Sequence, residues 1–257
     1  MVSIQSLWPT PGVELTDEQL LELYAPPVGP WLRMNFVASL DGAITRDGLS
    51  GGLGDEADHR VFELLRRWAD VVLLGAGTAR TEGYGAMRLP EAAERWRVEQ
   101  GLAPQPVFAL VTRRLDLDPA SPIFTDAPVT PLLFTVFDAP AERRAALSEV
   151  AEIVDAGETV LDPAIVRAQL EARGHTRIHS EGGPTLFGAF LEAGVVDELC
   201  LTLAPTLEAG SAMRITQAPQ SAPTAMELAG VLRGGDELLL RYTKSADAGP
   251  DAQGATG

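Results

Sequence analysis

Cysteine is almost absent: the single one in 257 residues is Cys200, which excludes an intrachain disulfide and every cysteine-rich zinc site. Lysine also occurs once, at Lys244 near the C-terminus, so a buried Schiff-base lysine is not expected. Histidine is limited to His59, His175 and His179. The last two could share a helix face, but Arg177-Ile178-His179 follows Gly174 and reads as a strand, so no metal site is predicted. Positive charge is scarce, with 20 Lys+Arg against 36 Asp+Glu and a net charge of −16. Nucleic acid and anionic membranes both require a positive field, and neither is expected as a partner. No apolar run approaches the roughly 20 residues of a membrane-spanning helix. Met1 to Trp8 carries no basic segment followed by an apolar one, so a cytoplasmic location is expected.

What remains is an ordinary globular composition, 46% apolar and 22% charged. Residues 1–30 read as an N-terminal arm interrupted by Pro9, Pro11, Pro26 and Pro27. Within it, Thr16 followed by Gln19 forms a capping-box pattern that predicts a short helix. Residues 31–245 read as one domain, and the small, polar 246–257 as a disordered tail. In the domain, strands are predicted at Leu32–Leu40, Val71–Leu74, Val107–Thr112, Leu132–Phe137, Ile153–Val154, Thr176–Ser180, Glu198–Ala204 and Glu237–Thr243. Helices are predicted from Asp55, with Val61, Leu64, Leu65 and Trp68 on one face, and at Ala141–Val150, Pro163–Arg173 and Pro184–Ala193. Alternating strands and helices with apolar strands predict an α/β fold, a mostly parallel sheet covered on both faces. The closely spaced last strands add an antiparallel part.

Two turns carry chemistry. Gly75-Ala76-Gly77-Thr78-Ala79-Arg80 begins like a dinucleotide-binding turn, but Arg80 stands where the third glycine belongs. Taken alone it reads as a plain strand-to-helix turn. Glu181-Gly182-Gly183-Pro184-Thr185-Leu186 says more. Pro184 suits a first helical position, which leaves the amides of Gly183, Thr185 and Leu186 to face an anion at a helix N-terminus. Glu181 lies at the C-terminal end of a strand, where open α/β sheets bind ligands. Arg66 and Arg88 stand near these turns, and Thr112-Arg113-Arg114 ends another strand as a small basic nest.

Three motifs occur in one order: Phe36-Val37-Ala38-Ser39-Leu40-Asp41-Gly42, the Gly75–Glu82 turn, and Glu181 to Leu186 continuing to Leu199. Together they resemble the C-terminal reductase domain of the bifunctional riboflavin-biosynthesis deaminase/reductase, a relative of dihydrofolate reductase. The arrangement is similar to stand-alone actinobacterial pyrimidine-reductase-like proteins, and the likeness covers roughly residues 31–244. A zinc-deaminase signature cannot be built from one cysteine.

The resemblance implies a dihydrofolate-reductase-like fold, NADPH as hydride donor and a homodimer. It assigns cofactor contacts to Val37, Ala38, Thr78, Glu82, Thr112, Arg113 and the Gly182, Gly183, Pro184, Thr185, Leu186 turn. It assigns substrate contacts to Ser50, Arg66, Arg88 and Glu181, with the arginines on a ribose 5′-phosphate. The expected reaction reduces the ribosyl group of a ribosylaminopyrimidine 5′-phosphate to ribityl. Glu181 is the expected catalytic group, with Asp41 as a second. Several positions depart from the family pattern. Ala43 replaces a lysine, Glu82 an aspartate and Arg113 a serine, and the Gly48–Leu53 loop is short and lacks a tryptophan. A reductase of another heterocycle, such as dihydrofolate or a pterin, and a non-catalytic NADPH-binding protein stay open as alternatives.

Overall fold

The computed structural model describes residues 2–220 and 222–245, so the tail read at 246–257 lies outside the described residues. Among the described residues eleven strands form one sheet: β1 (Ile4–Trp8), β2 (Val13–Glu14), β3 (Trp31–Ser39), β4 (Val71–Gly75), β5 (Val107–Val111), β6 (Leu132–Thr135), β7 (Glu152–Asp155), β8 (Arg177–Ser180), β9 (Glu198–Ala204), β10 (Met226–Gly234) and β11 (Glu237–Lys244). Their spatial order is β2-β1-β10-β11-β9-β3-β8-β4-β5-β6-β7. From β9 through β3 to β7 every neighbouring pair is parallel. From β2 to β9 every pair is antiparallel. The expected mostly parallel α/β sheet with an antiparallel extension is the observed one.

The helices are α1 (Asp17–Leu23), α2 (Glu56–Trp68), α3 (Ala76–Thr81), α4 (Glu91–Glu99), α5 (Pro122–Thr125), α6 (Ala141–Ser148), α7 (Pro163–Ala172) and α8 (Pro184–Glu192). None of the described helices is long and apolar enough to cross a membrane. The two faces of the sheet can be read from β4. Val71 and Leu73 enter one core with Phe187 and Phe190 of α8 and Leu170 of α7, while Val72 and Leu74 enter another. Such alternation follows from the two-residue period of a strand and explains the unbroken apolar run in the sequence.

The first 30 residues, read as an arm, join the sheet and the core. β1 pairs with β10, and Ile4 is fully buried. The predicted helix is there, closed by the Thr16–Gln19 capping box. Leu20, Leu21 and Tyr24 then pack with Val61, Leu64 and Leu65 of α2. Their apolar side chains join a core that the prolines mask in a linear reading. β10 was not predicted either. Its half-buried alternation is interrupted by Gly230, and only pairing with β11 on one side and β1 on the other defines it.

Candidate active site

At the C-terminal ends of β3, β4 and β8, one cavity of about 480 Å³ opens between the strand ends, α2 and the 44–54 loop. Its walls include Phe36 and Val37 of β3, Thr78 and Thr81 of α3, Asp58, His59 and Phe62 of α2, and Gly183 to Thr185. Parallel strands deliver their following turns to the same edge, so residues far apart in sequence converge here.

The β4 and β8 turns are tied together. The Gly75 amide donates to the Gly182 carbonyl at 2.9 Å, and the Glu181 amide to the Leu73 carbonyl at 3.0 Å. Gly182 has φ of +100°, and a Cβ there would meet the Phe36 ring at 3.0 Å. A Cβ on Gly183 would collide with Thr78 Oγ1. Both glycines are therefore required by close approach. No side chain caps α8, whose N-cap is Gly183 and first residue Pro184, and none caps α3 after Gly75. Two helix N-termini thus face one cavity with main-chain donors, a cradle suited to an anion.

Glu181 is the chemical centre. Its carboxylate receives Arg66 Nε on Oε1 at 2.5 Å and Arg66 Nη2 on Oε2 at 2.8 Å, a bidentate pair. Tyr84 Oη donates to Oε2 at 2.9 Å. Burial would raise the carboxyl, but the Arg66 charge and hydrogen bonds outweigh it and hold it at about 2. Glu181 is thus anionic in this site. Burial raises the Tyr84 phenol and the neighbouring carboxylate raises it further, so Tyr84 remains a donor. The Arg66 guanidinium lies 4.2 Å from the centre of the Phe62 ring, which fixes its plane.

The expected site residues divide. Val37, Ser50, Thr78, Glu82, Glu181, Gly183, Pro184 and Thr185 line the cavity. Ser50 acts through its backbone, donating its amide to Glu82 Oε1 at 2.9 Å. Ala38, Gly182 and Leu186 sit in the layer behind the wall, with Ala38 and Leu186 buried. Thr112 is buried outside the cavity walls, where its hydroxyl accepts the Leu115 amide at 3.1 Å, and Arg113 is exposed beside it.

Three of the expected residues are placed otherwise than the sequence implies. Arg88 does not join Arg66. Met87 and Leu89 on either side are buried, which turns Arg88 outward to donate to the Asp126 carbonyl at 2.9 Å. Arg66 reaches the site, but its fork is engaged by Glu181 instead of standing open to an anion. Asp41 stands outside the cavity walls and anchors a neighbouring segment. It accepts Ser39 Oγ at 2.5 Å and the amides of Glu208 and Ala209 at 3.1 and 2.7 Å. The Ser39 hydrogen bond, with those amides, brings it to about 2. It ties the 205–213 segment, which contributes Met213 to the cavity wall. Tyr84 and the wall residues of α2 were missed. An aromatic between two glycines, Gly83-Tyr84-Gly85, is the signal that marked Tyr84.

Comparison with known proteins gives a consistent result. The chain is 29% identical over 223 residues, 86% of its length and 95% of the relative's, to a 2,5-diamino-6-ribosylamino-4(3H)-pyrimidinone 5′-phosphate reductase from Methanothermobacter thermautotrophicus. It is 26% identical to the riboflavin biosynthesis protein RibD of Bacillus amyloliquefaciens, covering 86% of this chain but only 56% of that protein. Among solved structures, a pyrimidine reductase-like protein from Corynebacterium diphtheriae superposes with a TM-score of 0.82 and 30% identity, over 91% of this chain and all of that one. The riboflavin biosynthesis reductase Rib7 of Saccharomyces cerevisiae, at 15% identity and TM-score 0.64, shares the fold. The RibD C-terminal domain pattern matches residues 30–240, most of the chain and all three motifs, and the chain belongs to that family.

Proposed function

We propose that this chain is an NADPH-dependent reductase that converts the ribosyl group of a ribosylaminopyrimidine 5′-phosphate to ribityl in riboflavin biosynthesis. The observation that carries this reading is Glu181, held ionised by Arg66 and hydrogen-bonded by Tyr84, beside two uncapped helix N-termini in one cavity. The glycine cradle suits a dinucleotide, because Gly182 and Gly183 let the turn after β8 pack closely on Phe36 and Thr78 and so present the uncapped α8 N-terminus at the cavity wall. Thr78, Glu82, Thr185 and the Val37 backbone would hold it. When bound, the nicotinamide supplies a hydride to C1′ of the sugar. Arg113 and Arg114 follow β5, whose Val111 pairs with Gly75 of β4. They leave the sheet beside the same turn and suit a 2′-phosphate, hence NADPH.

The chain's residues handle protons and position. Opening of the sugar breaks the C1′–O bond; the ring oxygen gains a proton from solvent and the exocyclic nitrogen gives one up. In this reading Glu181 takes that nitrogen's proton and returns it once C1′ is reduced, so one hydride and one proton are consumed in all. Arg66 turns part of its fork from Glu181 to the substrate phosphate, and the cavity must hold C1′ about 3–3.5 Å from the hydride donor. A homodimer belongs to the same reading, and light scattering at working concentration checks it.

The test is loss of NADPH absorbance with the phosphorylated pyrimidine, against dihydrofolate offered in parallel. A second reading, reduction of an unphosphorylated heterocycle, is favoured by one observation: Arg88 faces away and Arg66 is engaged by a carboxylate. Turnover of dihydrofolate alone decides for it.

A further inference from the structure

His179 is buried beneath Glu181 and has no part in the contacts described so far. It lies on β8 two residues before Glu181, so both side chains point to the α2 face of the sheet. It is 2% exposed, and among the described residues neither ring nitrogen has a hydrogen-bond partner. A buried polar group left this way is costly unless another state of the protein satisfies it. Its Nε2 stands 3.6 Å from Glu181 Oε1, just beyond hydrogen-bond length.

The charged groups around it are few and paired. In register with His179 on β3 is Arg33, whose guanidinium is held by Glu198. On β4 its register partner is Val72, which carries no charge. From α2 comes Arg66, held by Glu181, and on β8 itself Arg177, held by Asp70. Trp31, Leu65, Trp68 and Ala69 complete the wall. Burial lowers the imidazole below its ordinary value, opposed by Glu181 and assisted by Arg33 and Arg66. His179 is thus a neutral ring with one N–H to give.

The need for that donor arises on turnover. If the substrate phosphate draws Arg66, Glu181 stays buried with the Tyr84 hydroxyl as its remaining donor, and a buried carboxylate that has lost its counter-charge tends to protonate. We propose that His179 is a positioning residue, whose Nε2–H closes on Glu181 Oε1 when Arg66 turns to the substrate phosphate and keeps the carboxylate ionised and aimed into the cavity. The inference rests on the phosphorylated-substrate reading given above.

The experiment compares wild type with His179→Leu, which removes the donor, and His179→Gln, which retains an N–H. The infrared band of ¹³C-labelled glutamate, assigned to Glu181 by its loss in Glu181→Gln, reports ionisation with and without ribose 5-phosphate. Without the sugar phosphate, Glu181 should stay ionised in all three proteins, because Arg66 is in place. With it, Glu181 in His179→Leu should titrate about one pH unit higher than in wild type, the size of one hydrogen bond to a charged group. His179→Gln should restore most of the difference. The acid limb of kcat should move up by the same amount in His179→Leu, while NADPH affinity stays level. An equal shift with and without ribose 5-phosphate, or none in His179→Leu, overturns the proposal. So does a wild-type band indifferent to ribose 5-phosphate. If His179→Leu does not fold, His179→Asn, too short to reach Oε1, replaces it with the same expectations. Because the infrared readout needs no turnover, its outcome is separate from failure of the pyrimidine to be reduced.

Discussion

Replacing Glu181 with glutamine keeps its shape and removes its charge, and both stability and turnover should respond. In the folded protein the carboxyl sits at about 2 against an ordinary 4.5. At about 1.4 kcal/mol per tenfold change, that difference makes the ionised form worth about 3 kcal/mol to folding at neutral pH. Because the folded value is the depressed one, the contribution is complete above about pH 4.5 and is lost as the pH falls towards 2. Glu181→Gln should therefore be less stable than wild type by about 3 kcal/mol at pH 7, part of it through an Arg66 left without its counter-charge. The gap should narrow steadily below pH 4.5. Urea unfolding of both proteins across that range measures it. Turnover of the glutamine variant should fall while NADPH affinity stays near wild type. A stability gap independent of pH would refute the electrostatic reasoning, and loss of cofactor binding in a folded variant would move Glu181 into the cradle.

Other consequences are equally specific. Arg66→Ala should weaken the phosphorylated pyrimidine tenfold to a hundredfold, the cost of about 1.5–3 kcal/mol for a charge-assisted bond, whereas Arg88→Ala should change its KM little. Steady-state kinetics with and without the 5′-phosphate separates the two. Gly183→Ala should abolish NADPH binding through its clash with Thr78 Oγ1, and the double variant with Thr78→Ala should recover part of it in a fluorescence titration. Ile4→Ala should cost about 2–5 kcal/mol by urea unfolding, because β1 is part of the core. Asp41→Asn should loosen the 205–213 segment, seen as faster hydrogen exchange at the Glu208 and Ala209 amides.

The parallel half of the fold was legible because its strands are continuous apolar runs separated by well-marked helix starts, as at Asp55 and Pro184. β1 and β10 were not, because they pair with each other across more than 200 residues of sequence and the local β10–β11 hairpin is broken in pattern by Gly230. At the site, the Gly-Gly-Pro turn and Glu181 could be read directly, since backbone demands leave their mark on residue type. Pairing could not. That Arg66 meets Glu181 while Arg88 faces outward depends on which neighbours are buried, Met87 and Leu89 in one case and the α2 face in the other. Asp41 sits in a conspicuous motif, yet it stabilises a distant segment through amides that sequence order does not bring near.

The central claim is that this cavity delivers hydride from a nicotinamide to C1′ of a phosphorylated ribosylaminopyrimidine under the control of Glu181. The most direct measurement follows deuterium from the nicotinamide C4 position of labelled NADPH into the product, located by NMR in wild type and Glu181→Gln. The account predicts one deuterium at C1′ of the ribityl chain with wild type and a much slower appearance with the variant. Deuterium elsewhere, or equal rates for the two proteins, would contradict it.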